Sequence, residues 1–178
     1  MPAFNKLLSK VASFVLMATA GIFKNANAQT PYTSSVDDRN VTILNGIVTK
    51  YAIENNKAFA GWYGPNQSSY KPDASTLNAM ETAKGKVQFV VFGGTGVGDT
   101  QNILPKFFKL QELSGISDNA VSFFAVDRKK HTLGNLNDAF KITNVPTIIV
   151  MKDGKEMGRV VEYGKTGKWD TELANLLK

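Results

Sequence analysis

The residues whose types and spacing could carry chemistry fall in one stretch, Gly93-Gly94-Thr95-Gly96-Val97-Gly98-Asp99-Thr100. It lies between an apolar run at 87–92 and a helical period at 101–113. A buried strand that feeds a glycine-rich turn into a helix N-terminus gathers unpaired backbone N–H groups there, a setting that suits an anion or a developing negative charge. Gly93 through Thr100 matches the phosphate-cradling pattern G-x-x-x-x-G-K-[ST] at every fixed position except one. Asp99 stands where that pattern needs the lysine that reaches the phosphates. An anion there faces a polyphosphate at about 4 Å, a repulsion of roughly 4 kcal/mol at an effective dielectric of about 20. The substitution argues against a nucleotide. A smaller anion or ligand at the helix N-terminus, bound by a carrier or by an enzyme of another class, stays open.

The remaining chemistry is thin. The 178 residues contain no cysteine, so no thiolate exists for thiol–disulfide exchange. A lone histidine, His131, cannot build a histidine-based triad or a multi-histidine metal site. Asp127 follows a strand, a common ligand position in α/β sheets, but it is a single carboxylate. Glu112 and Asp118 have no apolar pocket in view to shift their pKa values. Asp99 and Thr100 are expected to cap the following helix. No metal, cofactor or catalytic residue is expected from these residue types.

The elements that position the loop follow from periodicity. Residues 87–92 are almost continuously apolar, as a central strand covered on both faces should be. In the next helix Ile103, Leu104, Phe107, Phe108 and Leu110 share a face, and Pro105 should bend it. A strand at 121–126, a short helix marked by Leu133, Leu136 and Phe140, and a hairpin about Asp153-Gly154 come next. A last helix buries Trp169, Leu173, Leu176 and Leu177. Upstream, Asp73 or Ser75 caps a helix with Leu77, Met80 and Ala83 on one face, ended by Gly85. Ile43, Leu44, Ile47, Val48 and Tyr51 recur at helical spacing and predict a helix over 40–59, weakened by Gly46 and the β-branched residues. Residues 29–38 read as a polar lead. The order β-α-β-α-β-β-α predicts an α/β fold, a four-stranded mixed sheet sandwiched by helices.

This order resembles the thioredoxin fold, whose active-site loop W-C-x-x-C joins a central strand to a long helix. Laid on that pattern, Gly96 falls at the tryptophan, Val97 at the first cysteine and Thr100 at the second. Pro105 falls where the family carries its helix-kinking proline. Asn144-Val145-Pro146-Thr147 resembles the family's cis-proline loop, which faces the active site, and the likeness runs over about 73–178. The wording is closest to a secreted bacterial subgroup whose loop reads roughly T-W-C-G-D-T-Q and whose later segments resemble Asp127-Arg128 and Glu162-Tyr163-Gly164-Lys165. That subgroup has already lost the second cysteine. Here the tryptophan and the first cysteine are lost too, and Val91 stands where ordinary thioredoxins bury an acid.

Residues 1–28 read as a secretory signal peptide: Lys6 and Lys10 form a positive start, 11–23 is apolar but short, and Ala26-Asn27-Ala28 is a cleavage site. The expected domains are therefore a signal peptide at 1–28, a lead-in at 29–72 and a thioredoxin-like domain at 73–178. Cleavage removes three lysines and no acid, leaving +3 of the formal +6. That balance is no footprint of a nucleic-acid binder, and Arg128-Lys129-Lys130 reads as a solvated loop. The expectation is an exported, periplasmic or extracellular protein with no stable membrane insertion after cleavage and no redox activity. Such a protein would bind a peptide or protein partner through Gly96, Val97, Gly98, Asp99 and Thr100 and through Val145, Pro146 and Thr147. By resemblance, the backbone of Val145 would pair with an extended partner, which needs no side-chain chemistry. One alternative is a role in thiol–disulfide homeostasis, implied by homology alone. Another is a remnant with a vacant groove.

Overall fold

A computed structural model describes residues 31–178, so the signal-peptide reading lies outside the described residues. The chain runs β1 (Tyr32–Val36), β2 (Thr42–Ile47), α1 (Lys50–Glu54), α2 (Tyr63–Ser69), α3 (Ala74–Ala83), β3 (Gln88–Gly93) and α4 (Gly98–Leu113). It continues with β4 (Val121–Ala125), α5 (Leu136–Ala139), β5 (Thr147–Lys152), β6 (Lys155–Val161) and α6 (Trp169–Leu176). One mixed sheet of six strands, in the order β1-β2-β4-β3-β5-β6, carries these elements. β3 and β4 are parallel and joined through α4, whereas β5 lies antiparallel to β3 and β6 antiparallel to β5. The fold is thioredoxin-like, an α/β sheet between helices. No helix among the described residues is long and apolar enough to cross a membrane.

Strand alternation sends side chains to two faces. Phe89, Val91, Ile148 and Val150 meet Ile103, Leu104, Phe107 and Leu110 of α4 in the larger core, which also takes Met80 of α3 and Leu173 of α6. Phe92 and Ile149 point the other way, into a smaller cluster with Val126 and Val145, which Leu136 and Phe140 cover. Asp73 caps α3 by accepting from the Thr76 N–H at 2.8 Å, and Pro105 sits inside α4, both as the sequence predicts. The hairpin turn forms at Asp153-Gly154 with positive φ at both residues, the geometry that a two-residue hairpin selects.

The upstream segment departs from expectation. The predicted helix over 40–59 is instead β2 followed by the one-turn α1, and the polar lead contains β1, so the sheet has six strands rather than four. A single helical face would bury 43, 44, 47, 48 and 51 together. Ile43, Leu44 and Val48 are buried, but Ile47 and Tyr51 are each 51% exposed. Gly46 excludes the helix outright: its φ is +122°, and a Cβ there would lie 2.5 Å from the Pro31 carbonyl oxygen. Tertiary pairing on both sides of β2, with β1 and with the end of β4, overrides the local preference. Residues 31–72 also supply Leu44, Ile53, Phe59 and Tyr63 to the larger core.

Candidate functional site

The loop after β3 is built from backbone turns and three side-chain ties. The Val97 N–H closes a turn on the Gly94 carbonyl at 2.9 Å, and the Gly93 carbonyl accepts from the Val126 N–H at 3.0 Å, which fixes where β3 ends. Thr100, fully buried, accepts from the Gly94 N–H at 3.2 Å. The expected cap is therefore corrected. Val97 is the N-cap residue of α4 and, having an all-hydrocarbon side chain, makes no side-chain cap bond, while the Thr100 hydroxyl is turned back across the loop to Gly94. Asp99 lies in the first turn of α4, where a carboxylate opposes the positive end of the helix dipole and disfavours a bound anion.

The second tie is Thr95. Its hydroxyl accepts from the Leu44 N–H at 3.1 Å and donates to the Thr42 carbonyl at 3.0 Å, bonding the loop directly to β2. Its carbonyl accepts from Gln101 Nε2 at 2.8 Å. The third tie is Arg128, which donates to the Gly96 carbonyl at 3.3 Å and pairs with the Asp37 carboxylate through Nε and its other terminal nitrogen. Asp37 holds the β1–β2 turn by accepting from the Val41 and Arg39 N–H groups, and the bonds from Val41, Arg128 and Arg39 together keep its pKa below the usual carboxylate value. Arg128 is thus engaged rather than solvated. Lys130 is engaged as well, donating to the Thr143 carbonyl at 2.6 Å. A Cβ at Gly96 would stand 2.6 Å from Ile43 Cδ1 and 3.2 Å from an Arg128 nitrogen, so the ends of both side chains would have to shift to admit one.

The second predicted segment lies beside the first. Thr147 pairs in register with Phe92, so continuing the antiparallel register places Pro146 by Gly93 and Val145 by Gly94. The Val145–Pro146 peptide bond is cis. Val97 packs on the cluster that contains Val145. Val145 and Thr147 are only 2% and 1% exposed, and the Pro146 carbonyl accepts from the Glu162 N–H at 2.7 Å. Solvent therefore meets the loop rather than the proline segment. Gly98 is exposed, Val97 and Asp99 are half-buried, and Tyr163 is 38% exposed beside them. Burial, then the charge of Asp99 and a hydrogen bond to it, raises the Tyr163 pKa.

Sequence reasoning missed Tyr163, Thr95, Arg128 and Asp37 as parts of this site. Only the run Glu162-Tyr163-Gly164 and the pair Asp127-Arg128 carried a signal. The Asp127 carboxylate accepts from the Lys129 and His131 N–H groups and holds its own turn, with His131 mostly exposed beside it. Glu112 and Asp118, expected to stand apart from any pocket, instead flank the buried Lys50 at the mouth of an apolar cleft.

Strand order and pairing give a thioredoxin-like α/β fold in a chain that has no thiol. No family model and no curated protein matches the sequence. Among solved structures the chain is similar to an HIV epitope-scaffold protein at 13% identity and a TM-score of 0.52, over 72% of this chain and 89% of that one. It is also similar to a protein of unknown function from Pseudomonas aeruginosa, at 13% identity and a TM-score of 0.49, over 72% and 84%. Thioredoxin from Fasciola hepatica matches at 26% identity over 57% of this chain and 89% of its own, with a TM-score of 0.38. The fold stands on element order and strand pairing, to which a likeness at that last score adds nothing.

Proposed function

We propose that this protein is an exported, non-catalytic binding module that holds an extended peptide or protein partner against Gly96–Thr100, with Val145–Thr147 forming the floor behind. One observation carries the reading: the loop is fully tied into the sheet by Thr95, Thr100 and Arg128, yet no group in it can act as a nucleophile toward a disulfide. A polypeptide partner needs only backbone groups and a complementary surface. The accessible groups are the exposed Gly98, Asp99 and the Tyr163 hydroxyl. Export rests on the signal-peptide pattern of residues 1–28.

The test uses Gly98, because a Cβ there has no neighbour within 4 Å and a side chain added at that point projects outward from the first turn of α4. Tagged wild-type protein and Gly98→Arg are cross-linked in the native cell envelope and recovered. The wild type should retain a partner that Gly98→Arg loses while keeping the same thermal melt. Identical partner sets, or none for either, would end the proposal. Val145→Asp is a poor probe, since it buries a charge in a position only 2% exposed and would unfold the floor itself. Export predicts a recovered chain that begins near Gln29, measurable by mass.

A further inference from the structure

β2 covers only the end of β4. Gly46 and Ile47 pair with Ala125 and Phe124, the Val48 N–H adds one bond to the Phe123 carbonyl, and the chain then bends away into α1. The Val126 N–H points to β3, so alternation turns the backbone groups of Val121 and Phe123 away from β3, toward the edge that β2 abandons. Past the Val48–Phe123 bond β2 makes no further pairing with β4, so among the described residues the Phe123 N–H and the Val121 carbonyl face an edge without a partner strand. An open strand edge of this kind keeps its N–H and C=O groups hydrated in the free protein and available to pair with another chain. These two groups lie one on each side of the exposed Ser122, and a single residue of an incoming chain can donate to one and accept from the other.

Behind this edge is a cleft of about 170 Å³, walled mainly by Ile47, Val48, Phe108 and Phe123. Its mouth is charged. Lys50, 7% exposed, pairs with Asp118 at 2.8 Å and Glu112 at 3.1 Å, while the two acids are 48% and 37% exposed. The Tyr51 hydroxyl donates to the other Asp118 oxygen at 2.8 Å. One buried cation against two outward carboxylates leaves a net negative rim, and Ile47 and Tyr51 stand out from it as half-exposed apolar surface. An N–H and a C=O set two residues apart along a strand edge match the spacing of an extended polypeptide backbone. The apolar cleft selects an aliphatic side chain, and the rim selects a basic neighbour.

We propose that the open edge of β4 is a second docking surface. It takes an extended segment of a partner polypeptide as an added strand, with an aliphatic side chain in the cleft and a basic residue over Glu112 and Asp118. It lies at the opposite end of β4 from the glycine loop, about 13 Å away at roughly 3.3 Å per residue, and so goes beyond the function proposed above.

The probe is the blocked hexapeptide Lys-Val-Thr-Leu-Thr-Lys, titrated into nitrogen-labelled full-length protein and followed by the amide NMR signals. Saturable shifts should centre on Val121, Ser122 and Phe123. Replacing both threonines of the peptide by proline removes the donors and should abolish the shifts; replacing both lysines by glutamate should weaken binding strongly. Ile47→Lys, at a half-exposed position, should weaken it by about tenfold, the equivalent of about 1.4 kcal/mol. Gly98→Arg should leave this titration unchanged, so failure of the loop proposal and failure of this one are separable. Shifts confined to 96–100, equal binding of the proline peptide, no saturable shift with any peptide, or the same amides buried by self-association without peptide would each overturn it.

Discussion

Thr95→Val tests whether the segment upstream of α3 organises the candidate loop. Valine keeps the shape of threonine and puts a methyl where the hydroxyl bridges Leu44 and Thr42, at a site with no exposure. Two hydrogen bonds are lost, each with a net contribution of about 1 kcal/mol, and the N–H of Leu44, itself only 1% exposed, is left orphaned at a cost of about 1–3 kcal/mol. These losses overlap, so the expected destabilisation is about 2–4 kcal/mol. At roughly 2–4 °C per kcal/mol for a domain of this size, the melting point should fall by about 5–15 °C. Urea unfolding should show a lower midpoint at an unchanged slope, since the surface exposed on unfolding does not change. Thr95→Ser keeps the hydroxyl and should recover most of the loss. A Thr95→Val protein within about 0.5 kcal/mol of the wild type, the range of neutral surface substitutions, would refute the reasoning. So would a serine variant as unstable as the valine one.

The Tyr63 hydroxyl is buried without a partner among the described residues, and burial pushes its pKa well above the usual value. Tyr63→Phe should therefore raise stability by about 1–2 kcal/mol in urea unfolding, whereas a loss would mean that the hydroxyl is bonded. Hydrogen bonds from Lys50, then Gln111 and Tyr51, pull the Asp118 pKa from 3.8 down to about 2. A carboxyl depressed on folding stabilises the protein above its unfolded value, and that contribution drains away as pH falls through about 2. Between pH 4 and 2, Asp118→Asn should thus lose less stability than the wild type, and equal slopes would discount the network. Purified full-length protein should show no insulin reduction, because the chain has no thiol to attack a disulfide.

The part of the fold legible in the sequence is the part whose signals are local. The apolar run of β3, the α4 face from Ile103 to Leu110, and the turn at Asp153-Gly154 each announce their structure within a few residues. β1 and β2 do not. Thr33, Ser34 and Ser35 form an edge strand whose side chains face solvent, so no apolar alternation marks it. Ile43, Leu44, Ile47 and Val48 fit a helical period as well as a strand with one exposed position. Gly46 held the deciding information, because a glycine required at φ +122° is incompatible with a helix, but that requirement comes from Pro31 and Leu133 closing around it. The ties of the site were hidden for the same reason. Thr95 reaches partners 51 and 53 residues away, and Arg128 a partner 91 residues away.

Those distant ties bear on what the loop has become. The position that resemblance assigns to an aromatic residue, Gly96, is closed by Ile43 on one side and by Arg128, fixed by Asp37, on the other. Ile43 and Asp37 belong to the upstream hairpin, so the segment that adds two strands to the sheet also packs, directly or through Arg128, against Gly96. A tryptophan placed there would have to displace the ends of the Ile43 and Arg128 side chains. The loop that remains offers a partner one unhindered glycine, the Asp99 carboxylate and the Tyr163 hydroxyl raised in pKa beside it. Such a surface makes polar, solvent-shared contacts, each of modest net strength because water competes for the same groups. Affinity would then have to come from adding contacts elsewhere on the same partner, and the open edge of β4 is where the backbone has contacts left to make.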